Sequence, residues 1–258
     1  YSRPLTASPS TSNAIDNLWL LGSWDDKNER DREIISRLCG APYQEATKEL
    51  HASLDRGLFR LAGSTWTIRD RIGALSSIGT HLTGSALQIL ATSFGEIIAS
   101  IDEQYSLPED KRLSADLLNI SRGCSGEARR GAASCCACLS NHRELVPNCT
   151  DEDVDSFVSA VLSALFNTDD WRILASADEV MPLLAEASPS MYLASVNRAL
   201  KKHRAIPDYL GEHLTGLSST CMGGGLISGI KVCARQKDLL SNAMTLLVGI
   251  SPYTELSK

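Results

Sequence analysis

The 258-residue sequence is poor in aromatic residues, at 5%, and no stretch approaches the roughly 18 consecutive apolar residues that a membrane-spanning helix needs. Few aromatics together with abundant Ala, Leu and Ser argue for packed helices and against the strands of a β-sandwich. The opening, Tyr1 to Ala14, is rich in Ser, Thr and Pro and lacks the charged head and apolar core of an export signal, so a cytoplasmic chain with no membrane partner is expected. Positive charge is short too: a formal net charge of -6 and a pI near 5.4 provide no general attraction to phosphate backbones or anionic membranes. Catalytic signatures are also missing. No Gly-Lys-Ser/Thr loop follows a strand, no Gly-x-Ser-x-Gly elbow stands after one, and five scattered histidines show no partner pattern. No catalytic or cofactor-binding residue is therefore nominated, and no enzyme is expected. A start at Tyr1 in place of Met reads as a segment of a larger protein.

What is present suits a folded protein. The hydrophobic fraction is 43%, and the length suffices for a sizeable core without a disulfide or metal. Eight cysteines would suggest disulfides in a short secreted chain, but without an export signal they read as reduced thiols.

Three regions follow from the patterning. Residues 1–21 read as a connector ending in an apolar anchor of Ile15, Leu18, Trp19 and Leu21. Residues 22–71 read as a winged-helix-like unit. Asp25 or Asp26 would cap a helix facing Ile34, Ile35 and Leu38 inward, and Gly40-Ala41-Pro42 turns the chain into a second helix through Tyr43, Ala46, Leu50 and Leu54. Leu58–Leu61 and Thr65–Ile68, joined at Gly63-Ser64, then form a small β-hairpin. Residues 72–258 read as an irregular α-solenoid or helical array, with helices expected near 72–101, 112–121, 125–140, 151–166, 177–187, 189–202, 207–220, 223–234 and 236–249. No fixed-period repeat aligns. The expected fold class is mainly α.

Four features invite chemistry. Cys135 and Cys138 have C-x-x-C spacing and His142 lies one turn further on, a candidate metal set to which Cys149 or Cys124 could add a ligand. In an Ala/Ser-rich helix, however, cysteine packs as a small apolar residue, and that reading is preferred. Met222-Gly223-Gly224-Gly225 has phosphate-loop flavour but lacks the Lys and the strand, and reads as a turn. Asp151, Glu152, Asp153 and Asp155 read as first-turn charges after an N-cap at Thr150. Lys48, Arg60, Arg69 and Arg71 are candidate nucleic-acid contacts of the winged-helix unit, but Trp24–Asp70 carries eight Lys/Arg against nine Asp/Glu, so DNA contact is the subordinate reading.

Gly22-Ser23-Trp24-Asp25-Asp26, Asp31-Arg32-Glu33-Ile34-Ile35 and Gly40-Ala41-Pro42-Tyr43 resemble the region just after the nucleotide-binding core of large bacterial STAND-type NTPases. Trp171 through Ser176, Met181 through Pro189 and His213-Leu214-Thr215-Gly216-Leu217 are similar to parts of the helical arm of such proteins. The resemblance implies the winged-helix and sensor or scaffold part of an NTPase whose Walker motifs lie outside this chain. No NTP-contacting residue carries over. The implied role is to couple partner recognition by the array to the state of the nucleotide-binding domain, in bacterial defence signalling. The expected partner is a protein or another domain of the same polypeptide; the alternative is a winged-helix transcriptional regulator whose helical part dimerises or binds a ligand.

Overall fold

A computed structural model describes residues 11–52, 58–112, 123–211 and 223–255. The first elements are α1 (Thr11–Leu21), β1 (Ser23–Asp25), α2 (Glu29–Cys39), α3 (Tyr43–Ala52), β2 (Phe59–Ala62) and β3 (Thr65–Ile68). The three strands form one antiparallel sheet in the order β1-β3-β2, with Trp66 of β3 opposite Trp24 on one side and Leu61 on the other. Alternation directs Phe59, Trp66 and Ile68 inward while Arg60 and Thr67 face outward. Trp24 stacks on Trp66 at 5.7 Å and meets Phe59 edge-on at 5.5 Å; such aromatic pairs are worth about 0.5–1.5 kcal/mol beyond their burial. The indole N–H of Trp24 donates to the Tyr43 hydroxyl at 2.9 Å, and that hydroxyl donates to Asp26, which ties the sheet to the start of α3.

Asn28, and neither Asp25 nor Asp26, caps α2: its side chain accepts from the Asp31 amide. Gly40, at φ 62°, ends the helix in the left-handed region that glycine enters without a Cβ penalty. Ile34, Ile35 and Leu38 are buried as their spacing requires. Residues 11–21, read from sequence as the end of a connector and its anchor, form α1, which packs on α2 and on α4 (Arg71–Ile78). Asn17 Nδ2 donates to the Leu38 carbonyl at 2.7 Å, tying α1 to the end of α2. Leu54 and the first ten residues lie outside the described residues.

The rest is helical: α5 (Gly84–Ala99), α6 (Glu109–Arg112), α7 (Gly126–Asn141), α8 (Asp151–Phe166), α9 (Trp171–Ala177), α10 (Met181–Ala187), α11 (Pro189–Lys202), α12 (Ala205–Gly211), α13 (Gly224–Cys233) and α14 (Leu240–Glu255). Leu87, Leu90, Phe94 and Ile98 form the buried stripe of α5, and α8 answers with Phe157, Val161 and Leu165; Phe94 meets Phe157 at 5.7 Å. Thr150 and Asp153 form a capping box at the start of α8, which gives the acidic run after Thr150 a helix-starting role. The helix expected at 177–187 starts at Met181 as α10, after a turn at 178–180, with Pro182 in its first turn; α9, just before that turn, lies outside every expected helix but for its last residue. Ile72, three residues before the buried Leu75, is half exposed. The helix expected over 112–121 lies outside the described residues beyond Arg112, as does the 207–220 helix beyond Gly211. Among the described residues no helix is long and apolar enough to cross a membrane.

Candidate functional site

Helix α7 meets both parts of the molecule, packing on β1 and α1 on one side and on α10 on the other. Gly131 makes that possible: a Cβ there would lie 2.4 Å from the Leu21 carbonyl and 2.9 Å from that of Ser23, so only glycine lets the helix backbone come this close to β1. A buried polar junction sits beside this contact. Asp31, 2% exposed, accepts from the Asp25 amide, the Ser125 amide and the Ser125 hydroxyl, while Ser125 Oγ caps α7 by accepting from the Ala128 amide. Asn28 Nδ2 donates to the Gly123 carbonyl at 2.9 Å. Arg129, 4% exposed, donates from Nη2 to the Ser100 carbonyl at 2.6 Å, and the Ser100 hydroxyl accepts from the Cys124 amide. Arg129 Nε has no partner among the described residues.

Burial dominates the electrostatics here. It raises the Asp31 pKa against the lowering effect of hydrogen bonds from Ser125 and Asp25, and it pushes the Cys124 thiol up to about 11. It also lowers the Arg129 pKa, opposed by the nearby carboxylates of Asp102 and Asp31. These groups hold two elements in fixed register. They present no nucleophile to solvent.

On another face an open groove of about 430 Å3 lies between α1, the end of α2, the turn at 79–81 and the first half of α5. Leu38, Ile78, Leu82 and Leu90 line it with apolar surface, and Asp16, Arg37, His81, Thr83 and Ile89 are also among its lining residues. Ile89 is 70% exposed, an apolar side chain standing outside the buried stripe of α5. Arg37 donates to Glu96 at 2.6 Å, and Arg30 donates to the other oxygen of that carboxylate. This clamp links α2 to α5 across an exposed surface, where each pair is worth roughly 0–1 kcal/mol. The half-buried Asp16 carboxylate makes no hydrogen bond or ion pair with any described residue. Burial raises its pKa and the charge of His81 opposes that.

The residues singled out from sequence are placed as follows. Cys135 and Cys136 are buried in α7; Cys135 lies beside Trp19, Leu20, Leu75 and Leu139, and burial pushes its thiol up to about 12, so it is held as a thiol. Cys138 is half-buried, and His142 ends the helix with Nδ1 3.3 Å from Glu144. Among the described residues no three His, Cys, Asp or Glu gather in metal-binding geometry. Lys48, Arg60 and Arg69 are exposed on α3, on β2 and just after β3. The Arg71 guanidinium donates to the carbonyls of Leu20 and Leu21 at 2.7 and 3.1 Å and so closes the end of α1. At the glycine-rich start of α13 the anion is the protein's own, since Asp178 accepts from the Gly225 amide at 2.7 Å and from the Tyr209 hydroxyl. His213 and Cys221 lie outside the described residues.

Sequence reasoning passed over Asp16, Asp31, Ile89, Arg129 and Glu96. For Ile89 a signal existed, an isoleucine out of phase with the 87/90/94/98 stripe. No protein-family model, curated protein or solved structure matches this chain.

Proposed function

We propose that the chain is a non-enzymatic relay: a winged-helix unit locked to an irregular helical array, with a protein partner docking in the groove between them. The observation that carries this reading is the junction. Asp31 and Arg129 bury charged side chains where α2, α5 and α7 meet, an arrangement that costs desolvation and is sustained only by directional hydrogen bonds. Such a junction transmits a displacement of one part to the other, because losing its geometry strands buried donors.

The helix–strand–helix–helix–strand–strand order of residues 11–68, with the first strand added beside the last, supports the winged-helix assignment. The succession of short helices from α7 to α14 supports the array. The strings that resemble STAND-type NTPases contribute Trp24, Asp31 and Leu184 to the core and the junction, which fits a relay serving a nucleotide-binding domain outside this chain.

Hydrogen exchange of wild type and Asp31→Ala tests the relay. Faster exchange is expected together in β1, α2, the end of α5 and the start of α7. Faster exchange confined to β1 and α2 would leave the two parts uncoupled and defeat the reading.

A further inference from the structure

We propose that the groove between α1, α2 and α5 binds a peptide segment that carries a lysine or arginine beside an apolar side chain, the cation meeting Asp16 and the apolar group resting on Leu38, Ile78, Leu82 and Leu90. The inference rests on the docking role and adds the chemistry of the partner.

Charge balance selects the cation. Arg37 and Glu96 already satisfy one another, with Arg30 on the same carboxylate, so the charges from α2 and α5 are spent within the protein. From α1 comes Asp16, with no hydrogen bond or ion pair among the described residues, and from the turn comes His81, whose charge bears on it. Among the described residues, Asp16 is therefore the carboxylate lining the groove without a contact partner. Burial already raises its pKa, and a docked ammonium or guanidinium replaces lost solvation with a charge-assisted hydrogen bond.

Shape and surface select the rest. A volume of about 430 Å3 falls within the roughly 300–1,000 Å3 of pockets that bury a small ligand, which is more than one side chain requires. Four buried or nearly buried aliphatic residues line it, and the exposed Ile89 adds an apolar rim on the α5 side. Apolar anchors with a flanking charge are the recurrent grammar of peptides that lie in a groove between helices. Nucleic acid and anionic lipid are disfavoured by the same carboxylate.

Selection from a phage-displayed library of random 12-residue peptides on the immobilised full chain tests this, with counter-selection on Ile89→Asp. The enriched peptides are expected to share Lys or Arg within four positions of Leu, Ile, Phe or Met. Fluorescein-labelled copies should bind at least about tenfold more weakly to Asp16→Asn, and Asp16→Lys should prefer the copies in which the basic residue is replaced by Glu. Thermal melts of both variants, with Tm close to wild type, confirm that they fold. Groove-dependent peptides without a basic residue, or binding indifferent to Asp16→Asn, would overturn the proposed chemistry while leaving docking intact. Enrichment indifferent to Ile89→Asp, or no enrichment, would overturn both. Concentration-dependent dimerisation that buries Ile89 would assign the groove to a second copy and likewise overturn the proposal.

Discussion

At the Asp31 junction three donors converge on one buried carboxylate, whereas 15 positions earlier Asp16 lines an open groove with no hydrogen bond to any described residue. Both carboxylates sit where the sheet-bearing unit meets the helical array, and burial raises the pKa of both. Their surroundings separate their roles. Asp31 is enclosed by groups that are themselves fixed by backbone, so its hydrogen bonds hold α2 against α7 and leave nothing to offer a ligand. Asp16 stands beside apolar groove surface and has no hydrogen-bond partner among the described residues, which is why the proposed peptide cation is placed there. The first site supplies rigidity and the second supplies an opening.

The comparison breaks first at Asp31. Asp31→Ala leaves the Asp25 and Ser125 amides without their acceptor and is expected to lower the unfolding free energy by roughly 2–4 kcal/mol, read from urea denaturation. A loss below about 1 kcal/mol would mean that the junction is not a fastening point. Next is Arg71→Met, which keeps the length of the side chain but removes two hydrogen bonds at the end of α1; roughly 1–2 kcal/mol is expected by the same measurement.

Titration sharpens the difference. A carboxyl whose folded pKa is raised stabilises fully below its unfolded pKa, about 3.9 for Asp, and that contribution is lost as pH rises through the folded value. The stability advantage of wild type over Asp31→Asn should therefore be larger at pH 4 than at pH 7. An advantage that grows with pH would show a lowered pKa and reverse the electrostatic account. The smallest effect is expected at the groove: Ile89→Asp should change stability by less than about 0.5 kcal/mol, since the residue is 70% exposed. A large loss there would show that the position holds the fold together.

How far the chain could be read in advance follows the same division. α8 and α11 are legible because apolar residues recur at helical spacing over 16 and 14 residues, with Thr150 capping the first and Pro189 opening the second. β1 is not legible, since Ser23–Asp25 is too short to show alternation. α9 spans seven residues, less than two full turns, and leaves no period to detect. The junction escapes for a different reason. Asp31 looks like an ordinary acidic residue in a helix's first turn, and its partner Ser125 lies 94 positions away, so no local pattern connects them. The hydrogen bonds of Arg71 to the Leu20 and Leu21 carbonyls escape for the same reason, since about 50 positions separate the partners.

Equilibrium unfolding followed by two probes tests most directly whether the two parts move as one. Tryptophan fluorescence is weighted to the sheet-bearing unit, where Trp19, Trp24 and Trp66 lie, and far-UV circular dichroism to the helical array. Coincident midpoints are expected in wild type and separated ones in Asp31→Ala. Two distinct transitions in wild type would contradict a junction that joins the parts into a single relay.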